Sequence, residues 1–511
     1  MSKFITSSIW NFTANFLVRL MSIVTFPFLV RFFLREDISI FKSFQAFILI
    51  LLTIIPIGTN ILYLSTPKED RESRWNHFFF VSLIVACLLS IILFFSETIT
   101  SFFIGDNLAG SLRILLIIIP LVEGLKGIVI TKLSSILDFK GISIALIIKQ
   151  LILYSGIIGF ALLNPSLDIL LFLVFFSEAL ELLMLLRHAN RMKINMMPYR
   201  PRDHLIQSAK GEDLGAKGEE GDIYTRFNFD KIAKKFMFFS GMEQIILTFA
   251  LQFPTILVVI VLGKTLAPEF QLPFTAVTVP VSLVMNSIAK VSFPHYSNLR
   301  ENDKIISSLF SVLFPVTFIL FPVLLGIHFF AREITGIFFD RSWQYAGFAL
   351  QVFPVLMISY ILGVPSTFIS NIKQKPYINL TYSIFLLLSR ILSIYFGFKL
   401  GGFKGTIIFF VAGDIVIRMI RLKVDMILLS LPLKRFFSSI SYNIFSMLIL
   451  FVLMWLGFYL TQQKTVSFII ALLISVSLNY YWEQVKVKTL IIKLRDAVLP
   501  NRFPVNHTHG K

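Results

Sequence analysis

Cysteine is nearly absent: Cys87 is alone among 511 residues and lies inside an apolar run. No intrachain disulfide and no multi-cysteine metal site can form. Charge is also scarce, at 15% of residues against 56% hydrophobic, and 56 residues are Phe. That balance excludes a soluble domain and points to a multi-span membrane protein. Catalytic signatures are missing as well. The sequence has no HExxH, no GxSxG and no Walker A order, so zinc hydrolase, serine hydrolase and ATPase chemistry lack their usual marks. Gly397, Gly401 and Gly405 are four apart, but Gly402-Phe403-Lys404-Gly405-Thr406 is not a phosphate loop; a tight turn with close helix contacts is the expectation. His77, His295 and His328 are scattered, and His507 and His509 lie near the end, so neither metal nor cofactor is expected.

What is present is a succession of apolar runs. Fourteen helices are expected, at about 9–33, 39–64, 77–98, 112–132, 142–163, 168–187, 236–262, 272–292, 306–330, 345–370, 377–398, 405–425, 438–460 and 465–482. The first run is too long for a cleaved signal and is interrupted by Arg19, so it reads as a retained span. The net charge of +18 would suggest nucleic acid in a soluble chain, yet here Lys and Arg flank the runs, and no nucleic-acid partner is expected. Alternate ends of the spans carry 33 and 9 of them, which places both termini in the cytoplasm.

The first run holds Ser7, Asn11, Asn15 and Arg19, each four residues apart, with Phe12, Phe16, Val18 and Leu20 between. On a helix this is one polar stripe. Arg19 falls near mid-membrane, where an uncompensated charge costs at least ~2.5 kcal/mol, so it needs a carboxylate, a wet cavity or an anionic ligand. Ser240, Gln244, Thr248 and Gln252 repeat the stripe 233 residues later. A second echo joins Phe94 to Phe103 with Phe329 to Phe338, and Pro120 falls opposite Pro354. The expected architecture is all-α: a six-helix bundle over 1–187, a flexible cytoplasmic linker over 188–235 and a second six-helix bundle over 236–425. A helix pair over 426–482 and a basic tail over 483–511, resting on anionic membrane lipid, follow.

Five cations fall within spans: Arg19, Lys42, Lys126, Lys149 and Arg390. Glu123 with Lys126, and Asp414 with Arg418, have the spacing of intrahelical pairs and read as structural. Lys149 and Arg390 sit on equivalent helices of the two copies, and Glu178 and Asp414 occupy matching places on the next helices, as candidate partners. Arg19, Lys149 and Arg390 have no acid at pairing distance on their own helices and are read as anion-binding. Glu178, Glu243 and Asp414 are candidates for ion coupling, with a proton or sodium ion as the coupled species.

Four segments together resemble the polysaccharide-biosynthesis flippases of the multidrug/oligosaccharidyl-lipid/polysaccharide exporter (MOP) superfamily. They are the polar opening through Arg19; Leu29-Val30-Arg31-Phe32-Phe33-Leu34-Arg35-Glu36-Asp37 leading to Phe41; Phe293-Pro294-His295-Tyr296-Ser297-Asn298-Leu299; and Ile334-Thr335-Gly336-Ile337-Phe338-Phe339. The likeness spans roughly residues 5 to 425. It departs where Ile38-Ser39 replaces the family's frequent Tyr-Gly, and where an acid within helix 7 is missing. The resemblance implies a non-enzymatic flippase that carries a polyprenyl-pyrophosphate-linked glycan of O-antigen, capsule or exopolysaccharide type across a bacterial plasma membrane. Other glycan-assembly proteins are candidate partners. Pyrophosphate calls for cations such as Arg19, Lys149 and Arg390, and sugars for Asn11, Asn15, Gln244, Thr248 and Gln252. A lipid II flippase is the nearest alternative. A drug exporter would need an acidic cavity, and a polymerase or ligase a large outer loop.

Overall fold

The computed structural model describes residues 2–56, 63, 68–96, 110–136, 138–194, 220–297, 301–339, 343–363, 366–367, 369–373 and 375–461. Among them every regular element is a helix. In chain order these are α1 Ser2–Phe32, α2 Arg35–Ile54, α3 Lys68–Phe95, α4 Gly110–Ser135, α5 Phe139–Leu163 and α6 Leu167–Arg191. The second half continues with α7 Glu220–Ser297, α8 Asn302–Phe329, α9 Ala331–Phe338, α10 Ala346–Gly363, α11 Ile369–Ile372, α12 Tyr377–Leu428 and α13 Leu433–Thr461. By length and apolarity alone, eight are able to cross a membrane, or nine if Leu320–Phe329 and Ala331–Phe338, bent by 72°, count as one broken span.

Thirteen of the expected stretches fall on these helices, and the stretch at 465–482 lies outside the described residues. The ends differ for reasons visible in the chain. α2 stops at Ile54 because Pro56 lacks the amide for another turn, and α10 stops at Gly363, ahead of Val364-Pro365. α6 runs to Arg191 and α7 begins at Glu220, while residues 195–219 of the expected linker lie outside the described residues. Ser166 caps α6 by accepting the Ile169 amide, with Asp168 in the first turn and His188 and Arg191 in the last, each matched to the helix dipole. Asp138 caps α5 and also meets His188 Nε2 at 2.5 Å, so the start of α5 is tied to the end of α6. That tie fixes the two helices that carry Lys149, Glu178 and Glu181.

Two long helices contain breaks. At Gly263 (φ 79°) α7 divides into limbs of 220–262 and 264–297, so the second limb begins earlier than the expected 272. In α12 the break is at Gly401 and at Gly402 (φ 56°), a left-handed conformation that glycine alone adopts without strain. The chain folds back there. A Cβ on Gly397 would stand 2.6 Å from the Gly405 carbonyl oxygen and 2.8 Å from Thr406 Cα, a contact that eight residues of straight helix, about 12 Å long, would forbid. The expected tight turn and close contact are both found.

Within the first half α1 lies on α5, α5 on α6, and α4 against α3 and α6; within the second, α7 lies against α10 and α12, and α8 against α10 and α13. The second core is aromatic: Phe270 and Phe274 each meet Phe353 and Phe410 edge to face, with centroids 5.1 to 5.6 Å apart. The halves meet along α2 and α7, where Ala46 and Ile50 bury against Ile256. At the end where α1 passes into α2, Arg35 pairs with Glu269 at 2.9 Å and stacks over Trp343. The other Glu269 oxygen accepts the amides of Tyr345 and Ala346 at the start of α10. Arg31 donates to the Ile337 carbonyl at 3.0 Å, and Phe26 meets Phe339. Two of the segments that carry the family resemblance therefore touch each other across the seam.

Replacing Gly405 with Val should destabilise the protein by about 1 to 3 kcal/mol, because the new side chain enters the Gly397 backbone and nothing flexible can yield. Thermal unfolding of purified protein in detergent checks this, with Gly336→Ala, where a Cβ meets open space, as the control.

Candidate functional site

α4, α5 and α6 bring five charged side chains into the middle of the first half. Lys126 meets Glu123 at 2.6 Å, Glu181 at 3.3 Å and also Glu178, while Lys149 meets Glu178 at 2.6 Å and Glu181 at 3.0 Å. All five residues are at most 7% exposed. Glu178 serves both lysines, one through each oxygen, and stands as the hub. The expected Glu123 and Lys126 pair is present on α4.

The second half repeats the scheme with arginine. Arg390 Nε and Arg418 Nε each reach one oxygen of Asp414 at 2.5 Å, and Arg390 Nη1 donates to the Ala250 carbonyl at 2.7 Å. Arg390 lies over Phe410 and Arg418 over Tyr360. One turn on, Arg421 pairs with Asp425 and donates to Ser370 Oγ, while Ser366 donates to Asp425. Glu243, partly buried on α7, lies within electrostatic reach of Arg421.

These contacts join Lys149 and Arg390 to the acids expected as their candidate partners, Glu178 and Asp414, and correct the reading of both as unpaired anion-binding groups. Lys149 and Arg390 are not free cations; each is neutralised by a carboxylate from a neighbouring helix. Spacing along one helix reveals only intrahelical partners, whereas Lys149 to Glu178 and Arg390 to Asp414 cross between helices. Both oxygens of Asp414 are engaged by guanidinium groups.

Arg19 is different. It is partly buried on α1, and among the described residues no carboxylate pairs with it. Its charged neighbour is another cation, Lys42 of α2, whose hydrogen bond goes to Gln45 at 3.3 Å. Tyr154 of α5 bonds to Ser22 and lies within reach of Arg19. Asn15 is partly buried one turn from Arg19; Asn11 is on the same helix, with its side chain outside the described residues. On α7, Gln244 is exposed and Thr248 and Gln252 are partly buried; α1 and α7 touch, so the two stripes lie on neighbouring helices. Lys42 is the functional candidate that the sequence placed in a span but did not join to Arg19, since only the packing of α1 near α2 unites them.

Comparison with known proteins gives this geometry a context. Residues 222–347 match a family model described as polysaccharide biosynthesis protein. An uncharacterized membrane protein in the cps region of Klebsiella pneumoniae is 23% identical over 176 residues, 34% of this chain and 36% of that protein. The aligned part is thus well under two thirds of the relative. Among solved structures, an inward-facing multidrug resistance MATE family transporter of the MOP superfamily superposes with TM-score 0.60 at 15% identity, over 82% of this chain and 94% of that one. The chain has a multi-helix membrane fold like that of this transporter, and about a quarter of it matches the polysaccharide-biosynthesis model. A second MOP transporter, from Pyrococcus furiosus, is described by the reverse polarity of its binding pocket, suggestive of a different function. It matches with TM-score 0.57 at 15% identity, over 84% and 95% of the two chains.

Removing one partner of a buried pair leaves a bare charge, at a cost of about 3 to 5 kcal/mol. Asp414→Ala should therefore lower the amount of folded protein in the membrane sharply, since it strands both Arg390 and Arg418. Quantitative immunoblotting of detergent-soluble, monodisperse protein checks it, and Asp303→Ala, in the first turn of α8, should leave the amount unchanged.

Proposed function

We propose that this protein is a flippase that moves a polyprenyl-pyrophosphate-linked oligosaccharide across the bacterial plasma membrane by alternating access between its two halves. The observation that carries the reading is the Arg19 and Lys42 pair. Lys126, Lys149, Arg390, Arg418 and Arg421 all hold carboxylates, whereas Arg19 and Lys42 lie within electrostatic reach of one another with no ion pair to either among the described residues. Two like charges in a low-dielectric region repel, and an anion between them removes that repulsion. Pyrophosphate is such an anion. The Arg19 guanidinium can hold two phosphate oxygens at once, and the Lys42 ammonium adds a compact point charge.

Sugars attached to the pyrophosphate need neutral donors and acceptors, and Asn15, Thr248 and Gln252 supply them from partly buried positions. The polarity of the unpaired charge favours an anionic cargo over the cationic drugs that an acid-lined cavity would take. The polysaccharide-biosynthesis family match and the transporter fold support export of a glycan precursor rather than its chemical conversion. The inner-membrane location and the cytoplasmic termini belong to the same proposal and rest on the charge asymmetry of the loops.

A charge-assisted bond to phosphate is worth roughly 1.5 to 3 kcal/mol, so losing it should weaken substrate binding by about one to two orders of magnitude. Arg19→Ala should abolish surface glycan in a flippase-null strain at normal membrane protein level, and Arg19→Lys should retain part of it. Full export by well-expressed Arg19→Ala protein would refute the role given to Arg19.

A further inference from the structure

The five-residue network of the first half has an odd charge count. Glu123, Glu178 and Glu181 are three carboxylates, and Lys126 and Lys149 are two ammonium groups. With every group ionised the cluster carries one net negative charge, out of reach of water. Among the described residues no other charged side chain forms an ion pair with these five. α4 is flanked by α2, α3, α5 and α6. α5 contributes Lys149 and α6 contributes Glu178 and Glu181, while beside Gly124 the helices α2 and α3 present Ile55, Ser82 and Ala86. Lys132, farther along α4, is held over the Trp75 ring.

The carboxylates are not equally held. Glu178 meets a lysine with each oxygen. Glu181 Oε2 also makes no hydrogen bond, but it stands 3.3 Å from the Lys126 ammonium and 3.0 Å from that of Lys149. Glu123 meets only Lys126, through Oε1; its Oε2 is buried without a hydrogen-bond partner, on a residue that is 1% exposed. An anionic oxygen so placed is costly, and a neutral carboxyl is much less so. Taking a proton from either lysine would deepen the imbalance, whereas adding one to a carboxylate cancels it.

We propose that this network is a proton-binding site that holds one proton at Glu123 Oε2 and that its loading and release couple proton movement to transport. The coupling role rests on the flippase reading; occupation of the site by a proton does not. The equivalent cluster in the second half cannot serve. There one carboxylate, Asp414, faces two guanidinium groups, its oxygens are both engaged, and arginine does not release its proton. Three residues after Glu178 the first half carries Glu181, whereas three after Asp414 the second carries Ile417, followed by Arg418. The titratable half also reaches the anion site: Tyr154, on the same helix as Lys149, bonds to Ser22 and lies within electrostatic reach of both Lys149 and Arg19. Net charge at the network therefore acts on the helix that presents Arg19.

Infrared difference spectroscopy of the purified full-length protein in lipid nanodiscs, through a pH change in water and in heavy water, tests the site. Wild type should show a protonated-carboxyl band that shifts on deuteration and disappears at high pH. Glu123→Gln should lack that band while its melting temperature stays at the wild-type value. Glu181→Gln balances two carboxylates against two lysines, so it too should lose the band with Glu123 intact, an outcome that a merely local role for Glu123 does not give. Persistence of the band in both variants, or its absence from wild type, overturns the site. In proteoliposomes an imposed pH gradient should stimulate glycan translocation by wild type and not by Glu123→Gln. Unaltered stimulation in that variant refutes the coupling, whereas a wild type that binds the proton but moves no glycan overturns the flippase reading and leaves the site standing.

Discussion

Charge in a low-dielectric interior must be compensated, and that constraint organises both halves of this molecule. Lys149 with Glu178 and Arg390 with Asp414 are the same solution at corresponding places, made with different residues. Such pairs add little net stability over well-packed apolar residues, but breaking one is expensive, so each fixes which helices are neighbours. α4, α5 and α6 are held together by the first network, and the two limbs of α12 by the second. Once those charges are closed off within each half, Arg19 and Lys42 stand out as cations with no carboxylate among the described residues. The candidate anion site is what remains after the structural charges have been accounted for.

The seam between the halves follows the same rule. Arg35 and Glu269 are 234 residues apart, within the range of the repeat offsets of 233 and 235. Near-equivalent positions of the two copies thus meet, and they meet with opposite charge. Glu269 is buried and gathers Arg35 together with two amides of α10, while the Phe26 and Phe339 rings close beside it. Away from this polar end the halves meet through apolar side chains of α2 and α7, where Ala46 and Ile50 bury against Ile256.

The membrane class, the positions of thirteen helices, the glycine turn at Gly401 and Gly402, and the intrahelical pairs were legible because they are local: hydropathy runs, Gly spacing and i,i+3 or i,i+4 charges are written along the chain. The cross-helix pairs were legible only in part. Matching the repeats offered Glu178 and Asp414 as partners of Lys149 and Arg390, but because those partners lie on another helix, spacing alone also left both cations open as anion ligands. Lys42 was visible as a buried cation, but its nearness to Arg19 depends on how α1 and α2 are arranged. Glu181 joined the first network only in three dimensions. The role of Arg35 was hidden for the same reason: within its motif it looks like a loop-flanking positive charge, and only the fold brings Glu269 and Trp343 to it.

The central claim is that Arg19 and Lys42 together hold a pyrophosphate. Its most direct test is the affinity of purified protein for polyprenyl pyrophosphate and polyprenyl monophosphate, measured by native mass spectrometry in wild type and in Lys42→Gln. The account predicts that wild type prefers the pyrophosphate and that the variant, folded as judged by its melting temperature, loses roughly tenfold in affinity for it, as the loss of one charged contact implies. Equal binding of the two lipids by wild type, or unchanged pyrophosphate affinity in Lys42→Gln, would contradict it.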